Sequence, residues 1–143
     1  MAHIVIVGAG IVGLSVAWAA RCRGHEVTVI DQGPIPNPRS ASFDNHRMIR
    51  YPYGAAAGYT RMVTEAFGTW NTLWDAFGAV HFEDTGAIAI GLEADDYAGK
   101  TLATFREIGL KHDVHDRADI ERLCPHLTLP DHAWGVSAGP GGP

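Results

Sequence analysis

The sequence contains 143 residues, of which 46% are hydrophobic and 19% are charged, a globular composition that excludes disordered, collagen-like and coiled-coil chains. That length suffices for one domain with a core, or for part of a larger protein. The formal net charge is −5 and the eleven basic residues are scattered, so we do not expect nucleic-acid binding. Six of the eleven basic residues but only three of the sixteen acidic ones lie at or before Arg61, so the first part is better suited to holding an anion.

We expect neither a metal site, a disulfide framework nor a membrane segment. Cys22 and Cys124 lie far apart without a CxxC or Cys/His pattern, which fits a reducing, cytoplasmic setting. The stretch from Ile4 to Ala20 carries no charge and has the look of a membrane anchor. However, no basic region precedes it, about 17 residues is short for a span, and its three glycines have another explanation.

The first thirty residues predict a strand, a tight turn, a helix and a second strand. The run from Ile4 to Val7 is β-branched and apolar on both sides, as expected of a strand buried inside a parallel sheet. Residues Ile11 to Arg23 are mostly good helix formers and Gly24 supplies the stop, while Val27 to Ile30 form the second strand. The pattern therefore predicts the α/β class.

The turn after the first strand carries three glycines with the spacing GxGxxG. Gly8 permits the sharp turn, Gly10 lets a pyrophosphate approach the backbone, and Gly13 lets the helix pack close to the strand. The helix N-terminus favours phosphate, and Asp31 at the end of the second strand is placed to accept hydrogen bonds from ribose hydroxyls. An acidic residue there favours FAD or NAD over NADP, and the motif alone does not choose between FAD and NAD.

Later in the chain, hydrophobic periodicity predicts two helices and a strand. Apolar residues at spacings of three and four predict a helix from Tyr59 to Phe77 with one buried face. This face consists of Met62, Val63, Ala66, Phe67, Trp70, Leu73, Trp74 and Phe77. Leu102, Phe105 and Ile108 predict a second helix by the same argument, and the apolar run between Gly86 and Gly91 predicts a strand.

The segment NHRMIRYPYG, from Asn45 to Gly54, resembles the TRIIRxxYG stretch of the monomeric sarcosine oxidase and N-methyltryptophan oxidase group, in the D-amino-acid oxidase superfamily. Weaker matches follow in order, among them TGAIAIG from Thr85 and ADIERLCPHLTLPDHAWG from Ala118, so the resemblance spans nearly the whole chain. It implies a Rossmann-like FAD-binding domain of the GR2 type, followed by the start of a mixed-sheet substrate domain.

The resemblance also implies how the chain is divided. Residues 1–80 would form the Rossmann-like FAD/NAD(P)-binding portion and residues 81–143 the beginning of the substrate domain. Members of the family are roughly two to three times longer, in keeping with enzymes of two domains, so we expect the chain to be incomplete at its C-terminus. The 143-residue piece alone need not be active.

The resemblance implies an FAD-dependent oxidoreductase that oxidises the carbon–nitrogen bond of an amino acid or N-alkyl amino acid by hydride transfer to flavin N5. Its partners would be this small-molecule substrate and O2 as electron acceptor, without nucleic acid or membrane. Of the catalytic residues, Arg47 would lie close to the flavin, Arg50 would bind the substrate carboxylate, and Tyr53 would line the substrate cavity. The implied cofactor-binding residues are Gly8, Gly10, Ile11, Val12, Gly13, Asp31, Gln32, Ser40, Ser42 and Arg47.

Alternatives remain open at this point. In a helical turn Arg47 and Arg50 would share a face, whereas in a strand they would point to opposite faces. They could also be solvated surface charges flanking a buried Met48 and Ile49. At the level of function, the alternatives are an NAD-dependent dehydrogenase that shares only the opening motif, and a non-catalytic dinucleotide-binding fragment.

Overall fold

The computed structural model describes residues 1–139. The chain divides into two compact units, the first from Met1 to Met48 and the second from Ile49 onward, and each is described by itself. The expected division at residue 80 concerns the domains of a longer enzyme, and it stays a prediction.

The first unit is a βαβ unit, which confirms the predicted order of elements. Strand β1 (His3–Val7) and strand β2 (Glu26–Ile30) pair in parallel, and helix α1 (Ile11–Cys22) connects them. The helix ends where Gly24 takes a φ of 78°, a conformation that an L side chain rarely adopts. An α/β fold with a βαβ start is therefore established for this chain.

The prediction that the first strand is buried on both faces is wrong. Side chains along β1 and β2 alternate between half-buried and exposed, and Val7 is 85% exposed. Helix α1 covers only one face, since the position for a Gly13 side chain lies 3.4 Å from Cγ2 of Ile6. The other face bears the exposed Val5, Val7 and Ile30. Within the described residues, the sheet of the first unit has only two strands, and one helix packs against it.

The second unit combines three helices with a three-stranded antiparallel sheet among the described residues. Its strands lie in the order β3-β5-β4, so that β5 is central and β4 is at the edge. In chain order the elements are α2 (Ala57–Phe77), β3 (Ile88–Gly91), α3 (Tyr97–Glu107), β4 (Asp113–Asp116), α4 (Arg117–Leu123) and β5 (Trp134–Ser137). The predicted strand between Gly86 and Gly91 is confirmed, and the mixed substrate sheet of a GR2-type enzyme stays a prediction.

Helix α3 and strand β5 supply most of the core of the second unit. Phe105 and Val136 are fully buried, and they cluster with Ala89, Ala98 and Tyr51. Phe105 lies on the face of α3 that its spacing from Leu102 predicted, and Leu102 packs against the same cluster. Burial of these apolar side chains is the main force that holds the sheet and helix together.

The predicted buried face of helix α2 is only half buried. Val63 and Phe67 pack against the core cluster, but Met62 and Phe77 are 62% and 60% exposed, so including them in the buried face was wrong. Trp70 and Trp74 stack on each other with ring centroids 4.9 Å apart, and both are partly accessible. Helix α2 therefore packs against the core through its N-terminal half. Its remaining apolar side chains contact other aromatic rings or solvent.

Asp96 organises the connection between β3 and α3. Its Oδ1 accepts hydrogen bonds from the amides of Ala98 (2.8 Å) and Gly99 (3.0 Å), which caps the helix. Its Oδ2 accepts from the amides of Leu92 (2.7 Å) and Glu93 (3.1 Å). These bonds, led by that of Gly99 and then Glu93, lower the pKa of Asp96 from 3.8 to about 2.

Replacing Asp96 with asparagine is expected to lower the melting temperature at pH 7 by roughly 5 °C, because the amide group can accept through only one oxygen. The pKa of Asp96 is lower in the folded than in the unfolded chain, so its stabilising effect is present above pH 3.8 and lost as the pH falls through about 2. The difference between wild type and variant should therefore shrink over that range. Thermal unfolding followed by circular dichroism at pH 7, 4 and 2.5 tests this, and a difference that is unaffected by pH would contradict it.

Candidate functional site

The turn between β1 and α1 requires glycine at two of the three predicted positions. Gly8 has a φ of 101°, and its amide donates to the carbonyl of Ile30 (2.7 Å), which ties the turn to β2. A Cβ on Gly13 would lie 1.9 Å from the carbonyl oxygen of Gly8, so helix and turn touch backbone to backbone. The close packing that the sequence predicted for Gly13 is present.

Gly10 faces two serine hydroxyls. A Cβ on Gly10 would lie 3.2 Å from Oγ of Ser40 and 3.3 Å from Oγ of Ser42. The Ser42 hydroxyl accepts a hydrogen bond from the amide of Ile11 (3.1 Å), and the two hydroxyls lie 2.9 Å apart. The side chains of Ile11 and Val12 are 49% and 75% exposed, so the helix start is open to solvent. Amides and hydroxyls at an open helix N-terminus are groups that bind phosphate oxygens.

Asp31 is held in place by three donors. It accepts hydrogen bonds from the amide of Ala9 (2.8 Å), the side-chain amide of Asn37 (2.8 Å) and the amide of Gly33 (3.1 Å). The bond from Ala9, followed by that from Asn37, lowers the pKa of Asp31, so the carboxylate is ionised at neutral pH. A carboxylate has about four acceptor positions, so about one remains for a ribose hydroxyl. The residues present thus fit an ADP group.

The other predicted residues of the first unit are less constrained. Gln32 is exposed. Arg47 donates to the carbonyl of Ala41, and it lies 3.7 Å from the carboxylate of Asp44 with 57% of its side chain exposed. Met48 is exposed as well, which contradicts the buried position considered for it.

The segment that carries Arg47 and Arg50 forms neither a helical turn nor a strand, so neither of the two geometries considered is correct. Arg50 belongs to the second unit. Its Nη1 donates to the hydroxyl of Tyr97 (3.0 Å), and its guanidinium carbon lies 5.0 Å from the centre of the Tyr53 ring. Tyr53 in turn stacks on Tyr59 with centroids 5.6 Å apart. The predicted Arg50 and Tyr53 are therefore neighbours.

Helix α3 anchors the residues that follow Arg50. The hydroxyl of Tyr97 donates to the carbonyl of Pro52 (2.7 Å). The amide of Gly54 donates to Oγ1 of Thr101 (3.1 Å), and Oγ1 of Thr104 donates to the carbonyl of Gly54 (2.8 Å). Gly54 has a φ of 58°, so the turn favours glycine. Pro52 to Gly54 are thus tied to three side chains of α3.

Sequence reasoning missed four residues around these two sites. Asn37 is buried, and its signal was the Asn-Pro dipeptide, which is typical of a turn whose side chain bonds locally. The other three are on α3, 45 to 50 residues after the backbone groups of Pro52 and Gly54 that they bind: Tyr97, Thr101 and Thr104. The only sequence signal for them was the presence of threonine on the inner face of a helix. The predicted roles of the site residues toward cofactor and substrate stay predictions.

The other features of the described residues do not indicate a further functional site. A cleft of about 470 Å³ in the second unit is lined by Asp116, Arg117, Ala118, Glu121, Asp131, His132, Ala133 and Trp134, and none of these is a predicted site residue. Both cysteines are free, and no cluster of metal-binding side chains occurs in residues 1–139. Within the same residues, no helix has the length and apolar character needed to cross a membrane.

The parallel strands, the crossover helix and the glycine-dependent turn define a protein of the α/β class whose fold starts with a βαβ unit. Residues 3–142 match the FAD dependent oxidoreductase family, DAO, and the chain belongs to that family. The resemblance to the D-amino-acid oxidase superfamily is therefore confirmed.

Individual relatives agree with this assignment. The chain is 23% identical over 133 residues to N-methyl-L-tryptophan oxidase of Yersinia pestis (strain Pestoides F) and of Yersinia pseudotuberculosis serotype O:3 (strain YPIII), covering 93% of this chain and 36% of each relative. Among solved structures, NikD, an unusual amino acid oxidase essential for nikkomycin biosynthesis, has a similar fold in its open form, with a TM-score of 0.69 and 21% identity over 97% of this chain and 38% of NikD. The chain thus spans about a third of the length of the relatives it matches.

Proposed function

We propose that this chain provides the ADP-binding portion of an FAD-dependent oxidoreductase that oxidises the carbon–nitrogen bond of an amino acid or N-alkyl amino acid, with O2 as the electron acceptor. Membership of the FAD dependent oxidoreductase family supports this. The single observation that carries the proposal is the solvent-open start of α1. There Gly13 packs against the backbone of Gly8, and the neighbouring amide of Ala9 holds the carboxylate of Asp31. The proposal includes the division into a nucleotide-binding portion, residues 1–80, and the start of a substrate domain, residues 81–143.

The residues at the start of α1 would hold the ADP half of the cofactor. The helix N-terminus carries a partial positive charge, and the hydroxyls of Ser40 and Ser42 lie beside it, so a diphosphate would be neutralised and hydrogen-bonded there. Asp31 would accept a hydrogen bond from a ribose hydroxyl at its remaining acceptor position, and it would repel a 2′-phosphate. When bound, FAD supplies the redox chemistry, which is the acceptance of a hydride from the carbon next to the nitrogen.

Arg50 would bind the carboxylate of the substrate. A guanidinium group has five N–H donors, and Tyr97 takes up one of them, so a planar fork remains for a carboxylate. Binding the carboxylate would orient the substrate and restrict its motion, which is a large part of what an enzyme of this kind needs from the protein. Tyr53 would shield one face of the guanidinium from water.

The experiment that tests the nucleotide site is titration of the chain with FAD, NAD and 2′-phospho-ADP. FAD is expected to shift the amide resonances of Gly10 and Ile11 and to bind more tightly than the other two. Asp31→Asn is expected to weaken FAD binding by about 10-fold, because a charged acceptor for the ribose is lost. Flavin fluorescence quenching gives the affinity for FAD, and displacement of bound FAD gives the affinities for NAD and 2′-phospho-ADP.

Asp95→Asn is the matched control, since Asp95 is exposed in the second unit and its side chain forms no hydrogen bond or salt bridge among residues 1–139. Its affinity for FAD should equal that of the wild type. Two results would contradict the proposal: amide resonances at the start of α1 that do not respond to FAD, or tighter binding of NAD than of FAD. The second result would favour an NAD-dependent dehydrogenase.

A further inference from the structure

We propose that Tyr97 is a positioning residue for Arg50, which fixes the direction in which the guanidinium group meets a carboxylate. The inference rests on the proposed role of Arg50 and adds a residue to that site. Tyr97 lies 47 residues after Arg50, at the first position of helix α3, and both belong to the second unit.

The hydroxyl of Tyr97 has a fixed orientation. It donates its proton to the carbonyl of Pro52 (2.7 Å), so a lone pair is left to accept from Nη1 of Arg50 (3.0 Å). Each bond polarises the hydroxyl in the sense that strengthens the other. A phenylalanine ring would fill the same space but could make neither bond.

The carbonyl that Tyr97 uses is itself fixed. Two residues after Pro52, the amide and the carbonyl of Gly54 are bonded to Thr101 and Thr104, and both threonines are buried. The chain from the proline to the glycine therefore cannot shift without breaking buried hydrogen bonds, which is costly. Tyr97 thus connects Arg50 to a rigid part of the second unit.

Arg50 is held by neutral groups alone. The phenol of Tyr97 contacts its edge, and the ring of Tyr53 lies 5.0 Å from its centre, so two contacts restrain it in two directions. In the described part of the chain Arg50 forms no salt bridge, whereas Arg61, Arg117 and Arg122 each pair with a carboxylate. Its position is therefore set while its positive charge stays available for an external anion.

Tyr97→Phe is the test, with Tyr59→Phe as the matched control. Tyr59 belongs to the same aromatic cluster, but its hydroxyl makes no recorded hydrogen bond within residues 1–139, so that substitution removes a hydroxyl without a positioning task. Two readouts are taken on the whole chain at a temperature where all forms are folded. The first is the mobility of the Arg50 Nε–H group by ¹⁵N relaxation, and the second is its chemical-shift response to sodium benzoate as a probe carboxylate.

In Tyr97→Phe we expect the Arg50 Nε–H group to become more mobile and the dissociation constant for benzoate to rise about 5-fold, the effect of losing one ordinary hydrogen bond. Tyr59→Phe should match the wild type in both readouts. Equal mobility and equal benzoate affinity in the two variants would overturn the inference. A wild type that does not respond to benzoate would refute the carboxylate role of Arg50, and the mobility comparison would then still decide whether Tyr97 positions it.

Discussion

Gly13→Ala is expected to abolish FAD binding and to unfold the first unit. The added Cβ would lie 1.9 Å from the carbonyl oxygen of Gly8, and both partners are backbone, so no side-chain rotation relieves the overlap. Helix α1 would have to move away from the turn, and Gly8 is itself tied to β2 through Ile30. We expect a loss of about 3 kcal/mol or more in the free energy of unfolding of this unit. Hydrogen exchange of the β1 and β2 amides measures it, alongside titration with FAD.

Gly68→Ala is the matched control for that substitution. Gly68 lies within helix α2, and a Cβ there meets no atom within 4 Å. Alanine is the better helix former, so this variant should be unchanged or more stable by about 0.5–1 kcal/mol. If Gly13→Ala retained the protected amides and the FAD affinity of the wild type, the close packing of helix and turn would not be needed.

Phe105→Ala should be the most damaging core substitution in the second unit. The ring is fully buried in the cluster that joins α3 to β3 and β5, and its removal leaves a cavity that rigid strands cannot close. The expected loss is about 3–5 kcal/mol in the free energy of unfolding. Urea unfolding followed by far-UV circular dichroism measures this loss.

Phe77→Ala provides the comparison for the core substitution. The Phe77 ring is 60% exposed at the end of α2 and meets Trp74 at a centroid distance of 6.3 Å. Its removal should change the free energy of unfolding by no more than about 0.5 kcal/mol. Equal losses in the two phenylalanine variants would mean that burial of Phe105 does not hold the second unit together.

The βαβ unit could be predicted from the sequence because its signals are local. A β-branched run, a glycine spacing and a stop at Gly24 each act within a few residues, and the parallel pairing follows from them. The exposure of Val5 and Val7 could not be predicted in the same way. An apolar run indicates that a strand can be buried on both faces, but whether it is depends on how many layers surround it.

The contacts around the candidate site residues could not be predicted from the sequence. The sequence indicated Asp31 and Arg50, but not that three donors already occupy Asp31 or that Tyr97 holds Arg50. Those contacts depend on tertiary packing, and Tyr97, the hydrogen-bond partner of Arg50, lies on a helix that periodicity describes only as amphipathic. For α2, periodicity predicted that Met62 is buried. Met62 is instead exposed, because the core cluster does not extend to its side of the helix.

The dependence of the turn at Gly54 on helix α3 matters to anyone who wishes to transfer the proposed carboxylate-binding stretch to another scaffold. If the stretch that carries Arg50 were grafted alone, the carbonyl groups of Pro52 and Gly54 would lose their hydrogen-bond donors. The amide of Gly54 would lose its acceptor. A portable version must include the helix, since the two distant stretches behave as one module.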